Sequence, residues 1–309
     1  MNKNNIEVSI VCNTYNHEKY IGEALEGFLN QKTDFKFEVL IHDDASTDHT
    51  AEIIKEFEEK YPEVIQPIYQ SENQYSKGIN VTTTFQYPRA KGKYIAFCEG
   101  DDFWTDELKL QKQYNLMEKY PEVNMSAHTV IAVKDGEEKF RFAPSKKECI
   151  FSTEEVIKGG GDFVSTNSLF YRKKMLEKIP KFYENLGLDY SLQIWGSLNG
   201  GMLYLPECMG AYRVATPGSW TTRISQNRER YVSFKRRIIK MLKELDEETN
   251  KKYTKVIEDK IKEIEYGICI TTGDIKELKT KYKDLYIKLP LKRRMKLYLK
   301  HVYLLLKYN

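Results

Sequence analysis

The chain is sparing with the residues that build covalent and metal frameworks. Its five cysteines, Cys12, Cys98, Cys149, Cys208 and Cys269, are an odd number, widely scattered, with no Cys-x-x-Cys pair. That excludes a disulfide scaffold and a zinc-finger type of site, and fits a reducing cytosol. The five histidines, His17, His42, His49, His128 and His301, are equally dispersed and read as structural or surface residues. No uninterrupted apolar run reaches the ~18 residues of a membrane span, and Met1–Asn5 leads straight into a strand-like segment with no signal peptide. A glycine-rich phosphate loop is missing too. After the first strand the chain reads Asn13-Thr14-Tyr15-Asn16-His17-Glu18, which weighs against a dehydrogenase or a methyltransferase. The one glycine run, Gly159-Gly160-Gly161, neither follows a strand nor opens a helix, and reads as a flexible loop.

What is present describes a globular protein: 309 residues, 41% hydrophobic and 30% charged, enough for one large domain or a domain with an extension. Charge is unevenly placed. Residues 273–309 hold 11 Lys/Arg against 3 Asp/Glu, so this tail is +8 and the rest of the chain −4. Such a tail points to an anionic partner at the C-terminus.

Apolar strand-like runs at Val8–Cys12, Phe37–Ile41, Val64–Tyr69 and Tyr94–Cys98 start roughly 29 residues apart, the length of a strand-plus-helix unit. Helix-like segments fall between them, at about 18–30, 48–60 and 105–119. Alternation of this kind predicts an α/β fold with a mostly parallel sheet and helices on both faces. After residue 120 the rhythm breaks. A strand near Met125–Val133 precedes a loop-rich stretch, then a strand at Val164–Tyr171, a helix over 187–199, and short strands at Met202–Leu205 and Gly210–Val214. From about 225 onward Gly and Pro almost vanish, and three or four helices are expected, the last opening at Pro290. The division is a domain over 1–225 and a basic helical extension over 226–309.

Two acidic pairs stand where strands end. Glu99-Gly100-Asp101-Asp102 follows Tyr94–Cys98, and Asp43-Asp44 follows Phe37–Ile41. The rim outside the carboxyl ends of the strands is where open α/β sheets bind ligands. Paired like charges there call for a cation or a set of donors. A solvated, helix-capping turn is the plain alternative; capping explains Thr47 or Asp48 but not Asp43 and Asp44 before them. The first strand ends in Asn13, Tyr15 and Asn16, amides and a ring that suit a heterocyclic base or a simple turn. Asp189 opens an amphipathic helical run, as a cap or as a general base, with Asp162 as the fallback.

Together, Val8-Ser9-Ile10-Val11-Cys12-Asn13-Thr14-Tyr15-Asn16, then Asp43-Asp44-Ala45-Ser46-Thr47-Asp48, then Glu99-Gly100-Asp101-Asp102 resemble the family 2 glycosyltransferases, over roughly residues 6–215. The resemblance implies a GT-A fold, a nucleotide-binding αβα sandwich, and transfer of sugar from a nucleotide-diphosphate sugar, most readily a UDP-sugar, with inversion. It implies that Asn13 and Tyr15, with Asn16 and Asp43 beside them, line the base pocket and that Asp44 accepts from the base. Asp101 then lies by ribose and metal, and Asp102 ligates Mn²⁺ or Mg²⁺. Asp189 corresponds to the catalytic base. Tyr212-Arg213-Val214 matches a segment that a histidine often follows; here Ala215-Thr216-Pro217 takes its place. Arg213 is left between a phosphate and an acidic neighbour. Lys77 and Arg89 are candidate diphosphate contacts.

In the last helix Leu291, Met295, Tyr298, Val302 and Leu305 recur at three- and four-residue steps beside Lys292, Lys296 and Lys300. Residues 290–308 therefore read as an interfacial helix on an anionic membrane surface, or as one docking on protein. The resemblance implies a glycan or lipid-linked acceptor in cell-surface polysaccharide synthesis, at the cytoplasmic face and peripheral to the membrane. Nucleic acid is not an expected partner; a homo-oligomer is left open. The alternatives are a sugar-nucleotide nucleotidyltransferase, which would want a basic glycine-rich loop after strand one, and a non-catalytic nucleotide-binding module.

Overall fold

The computed structural model describes residues 5–216 and 227–298. The chain divides into two compact units, Met1–Thr216 and Pro217–Asn309; the sequence boundary at 225/226 falls between the two described stretches.

In the first unit, nine buried or half-buried residues form β1 (Ile6–Thr14), with Val8, Ile10, Val11 and Cys12 fully enclosed. A strand apolar on both faces belongs in the middle of a covered sheet. It lies between β2 (Lys36–Asp43) and β4 (Tyr94–Phe97), parallel to both, and β3 (Ile65–Tyr69) adds parallel to β2. The helices α1 (Ile21–Leu29), α2 (Thr50–Lys60) and α3 (Lys109–Lys119) connect or follow these strands. The first buries Ile21, Ala24, Leu25 and Phe28 at the 3.6-residue period. Phe28 meets Trp104 edge to face at 4.8 Å, inside the main core formed with Ile10, Ile41, Ile54 and Tyr94.

Beyond β4 the direction changes. A short antiparallel strand, β9 (Phe170–Arg172), separates β4 from β6 (Met125–Lys134), and β10 (Met202–Arg213) runs parallel to β6. The mostly parallel αβα sandwich is therefore present, with β5 (Phe103–Trp104), β7 (Glu137–Phe142) and β8 (Cys149–Phe151) added antiparallel at its margins. Because β6 and β10 run with β4, the ends of β1, β2, β4, β6 and β10 and the start of β9 share one rim.

Several expectations after residue 120 need correction. The two short strands at 202–205 and 210–214 are one strand, whose register slips between Leu205 and Gly210, around Pro206; proline cannot donate to the ladder. The strand at 164–171 shrinks to Phe170–Arg172, because Thr166–Ser168 forms a 3₁₀ turn. The loop-rich stretch holds β7, β8 and α4 (Thr153–Gly159), which opens on a Ser152–Glu155 capping box. The triple glycine is no free loop. Gly159 ends α4, Gly160 caps it at φ +82°, and the Gly161 carbonyl accepts from Gln193 Nε2 at 3.3 Å.

The second unit is helical: Arg228–Glu248, Thr254–Thr272, Ile275–Lys279, Lys283–Ile287 and a further helix over 291–298. Among the described residues that makes five segments where three or four were expected, because Gly273 (φ +76°) and Asp274 cut the helical run by closing one helix and capping the next; Lys300, Val302 and Leu305 of the expected last helix lie outside the described residues. Cys269, Ile275, Leu278, Tyr282, Tyr286 and Leu297 form its small core.

Candidate functional site

The first wall of the site is made by loops after β1, β2 and β3. Asn13 donates to Thr82 Oγ1 at 2.8 Å and accepts from Gln86 Nε2 at 3.4 Å. Tyr15 is 43% exposed, which leaves its ring open to a ligand. Asn16, at φ +56°, accepts the Thr47 amide at 2.8 Å and gives its own amide to Ser46 Oγ at 2.9 Å, riveting two loops together. Asp43 is buried and caps Ser46 through that residue's amide (3.3 Å) and hydroxyl. Burial pushes its carboxyl up, and the Ser46 bonds oppose the shift. The plain reading holds for this residue: its carboxylate closes a turn.

Asp44 acts across a longer distance. Its oxygens accept the amides of Gln74 (2.8 Å) and Tyr75 (3.0 Å), while its own amide binds the Thr14 carbonyl at 3.0 Å. It thereby joins the end of β1 to the loop after β3. Lys77 sits in that loop, exposed and paired with Glu72. The diphosphate role for Arg89 is overturned. Its guanidinium donates to the Gln66 and Ile41 carbonyls, both at 2.8 Å, and to Gln86 Oε1. These donors tie β2, β3 and the segment before β4 together and are spent inside the fold.

The second wall is the acidic loop after β4. Gly100 is required there: a Cβ would meet Thr14 Oγ1 at 2.7 Å and His17 Nδ1 at 3.1 Å. Asp102 is 1% exposed; its Oδ1 accepts the Arg213 amide at 2.9 Å, and its Oδ2 is buried with no hydrogen-bond partner among the described residues. Burial, then the neighbouring Asp101 charge, drives its carboxyl well above the usual range. Asp101 is the more open of the pair. Its Oδ2 accepts from Thr216 Oγ1 at 3.1 Å and lies 3.9 Å from His17 Nε2. Arg213 locks the loop: it donates to the Asp101 carbonyl at 2.7 Å, pairs with Glu23, and covers the rings of Phe103 and Tyr20 at 4.4 and 5.0 Å. Its acidic neighbour is Glu23.

Asp189 supplies the third wall. It starts α5 (Asp189–Ser197) and accepts the hydroxyl of Thr166 from the 3₁₀ turn before β9. Asp189 is exposed and Glu99 half-buried by accessible surface, although protein crowds both carboxyls. Burial raises both; Glu99 is pushed further by the charges of Asp189 and Asp101, and Thr166 counters the shift at Asp189. Behind them, Tyr87 Oη lies 2.8 Å from Tyr171 Oη and 3.5 Å from Tyr183 Oη, a buried hydroxyl cluster that also feels Asp189. Asp162 stays exposed in the turn after α4.

The donor set fits a divalent cation in one respect. An unpartnered, buried carboxylate oxygen beside a second carboxylate is stabilised by a cation and costly without one. Yet no group of three or more His, Cys, Asp or Glu forms a cage among the described residues. Asp101 and Asp102 would therefore share an ion with the oxygens of a bound ligand, the habit of Mg²⁺ with phosphates. Sequence reasoning gave no role to Glu99, His17, Thr166 or Thr216. Glu99 adjoined the motif and was legible; the Thr166–Asp189 contact spans 23 residues and left no local signal.

Comparison with known proteins follows the same lines. The glycosyl transferase family 2 model matches residues 9–180. An uncharacterized protein of Mycobacterium tuberculosis is 36% identical over 224 residues, 72% of this chain but only 63% of that protein, so the chain spans less than two thirds of its length. TuaG of Bacillus subtilis, named as a teichuronic acid biosynthesis glycosyltransferase, is 34% identical over 67% of this chain and 79% of its own. Among solved structures, S. aureus TarS in complex with UDP-GlcNAc superposes with a TM-score of 0.56 at 16% identity, over 96% of this chain and 88% of that one. A mannosyltransferase of Pyrobaculum calidifontis in complex with GDP-Man and Mn²⁺ gives 0.54 at 15%, over 96% and 84%. At these identities the structural likeness is one of fold.

Proposed function

Because this chain belongs to glycosyl transferase family 2, we propose that it moves a sugar from a nucleotide-diphosphate sugar, a UDP-sugar in the first instance, to an acceptor hydroxyl with inversion. The observation that carries this reading is the convergence at one rim of the Asp101–Asp102 pair, with its orphaned Oδ2, and Asp189, whose charges meet at Glu99. Asn13, Tyr15 and Asn16 line the base side, and Asp44 fixes the loop that faces them.

In the reaction the acceptor oxygen forms a bond to the anomeric carbon while the bond from that carbon to the diphosphate oxygen breaks. Asp189 takes the hydroxyl proton as the bond forms, within hydrogen-bond reach. Thr166 holds the carboxylate by one oxygen and favours its ionised, accepting form. Mn²⁺ or Mg²⁺, held by Asp101 and Asp102, would supply neutralisation of charge on the leaving diphosphate. Lys77 stands in the loop gripped by Asp44, within the part of the chain that would cover the phosphates.

The name of the Bacillus subtilis relative supports an acceptor in cell-surface polysaccharide synthesis, a glycan or lipid-linked hydroxyl. Among the described residues no helix is long and apolar enough to cross a membrane; a lipid-linked acceptor would be met from the bilayer surface. Thermal unfolding with UDP and Mn²⁺ tests the donor site: the full chain is expected to melt at higher temperature, and Asp102→Ala to lose the shift. An unchanged shift in Asp102→Ala removes that residue from the metal. Turnover retained in Asp189→Asn removes the base.

A further inference from the structure

The second unit carries a surface that the transfer reaction does not use. Ile287, Leu291, Met295 and Tyr298 are 54%, 65%, 59% and 52% exposed. In the helix over 291–298, Leu291, Met295 and Tyr298 fall on one face at about 100° per residue. The same helix anchors itself through another face, since Leu297 is buried against Cys269, Leu278 and Tyr282. The open stripe is thus not the face that holds the helix in place. Large apolar side chains displayed in a row on a monomer mark a contact surface.

The surrounding charge says which kind. From residue 285 to the end of the chain there are seven Lys/Arg and no Asp or Glu. Lys288, Lys292 and Lys296 are exposed beside the stripe. A second copy of the chain would bring like charge against like charge at this face. A nucleic acid would satisfy the lysines and leave the aliphatic row in water. An anionic bilayer satisfies both, because apolar side chains enter the acyl boundary while lysines reach lipid phosphates.

We propose that Ile287, Leu291, Met295 and Tyr298, flanked by Lys288, Lys292 and Lys296, form the face by which this protein lies on an anionic lipid surface. The proposal stands on exposure and charge, and does not depend on the transfer reaction.

The test is co-sedimentation of the full chain with vesicles of phosphatidylcholine, with and without phosphatidylglycerol. Binding to the phosphatidylglycerol vesicles is expected, with at least ~10-fold weaker partitioning on phosphatidylcholine alone or at high salt. Leu291→Asp with Met295→Asp, and separately Lys292→Glu with Lys296→Glu, are each expected to lose at least ~10-fold, with melting temperature unchanged because all four side chains are exposed. No binding by the wild-type chain overturns the proposal, as does full binding by both double variants. Dimers that the aspartates dissolve without any vesicle binding assign the face to a second copy. Retention on DNA that the aspartates leave intact, again without vesicle binding, assigns it to nucleic acid.

Discussion

Lys109 begins α3 with its ammonium inside the protein. The residue is fully buried, its Nζ lies 3.7 Å from the centroid of the Trp104 ring, and it has no hydrogen-bond partner among the described residues. Cys98 and the buried imidazole of His128 are its titratable neighbours. A positive charge at a helix N-terminus is also on the wrong end of the dipole. Burial brings the lysine down from 10.5 to about 7. At ~1.4 kcal/mol per unit, that places roughly 5 kcal/mol against the charged form in the folded chain. The folded value lies below the unfolded one, so the unfolded chain binds more protons between them and stability rises with pH across that window. Between pH 7 and pH 9 the gain from this residue alone is about 2–3 kcal/mol. Lys109→Met keeps the length and the contact with Trp104 and removes the proton. It is expected to be more stable than wild type at pH 7 by about 1–4 kcal/mol, the advantage shrinking toward pH 9. Urea unfolding at pH 7, 8 and 9, read by tryptophan fluorescence at constant slope, measures both. A variant less stable at pH 7, or two parallel pH profiles, would refute the account of Lys109 as an unpaired buried base.

Thr166→Val should lower kcat about 10-fold or more with little change in KM, and move the acid limb of the pH profile to higher pH. The sign follows because the lost hydroxyl had favoured the ionised Asp189; an unmoved limb would leave Thr166 a packing residue only. Arg89→Met strands the Gln66 and Ile41 carbonyls, at a cost of about 2–3 kcal/mol in urea unfolding, while UDP affinity by calorimetry stays within error. Gly92→Ala forces a Cβ to 2.4 Å from the Ser9 amide and 2.8 Å from the Tyr94 carbonyl. A drop in stability of at least about 2 kcal/mol is expected in the same assay, and a neutral result would mean that the start of β4 gives way easily.

The first half of the fold was legible because β1, β2 and β4 are short apolar runs buried on both faces and α1 carries a clean apolar stripe. Both periods survive in sequence without knowledge of neighbours. The second half was not. β7 is an exposed strand, Glu137–Phe142, with no buried face of its own, and it extends by pairing with β6. β5 is two residues long and exists because β10 arrives opposite it. The site divides the same way. Asp101, Asp102 and Asp44 announced themselves by standing at strand ends, but their partners did not. Nothing local foretells that Asp44 grips the amides of Gln74 and Tyr75, or that Asp102 takes the amide of Arg213, 111 residues on. Arg89 misled because a lysine or arginine near a phosphate site looks the same in sequence whether it faces the ligand or the backbone.

The reversed strand β9 lets one stretch of this fold vary while the rest stays fixed. Since β6 leaves the sheet at the rim where β9 enters it, residues 135–169 depart and return on the same side. Outside β7 and β8, which pair with β6 and β10, that excursion can lengthen, shorten or change composition while the strands leading to Asn13, Asp44 and Asp102 keep their register. Thr166, near the end of that excursion, ties it to Asp189 at the start of the helix that follows.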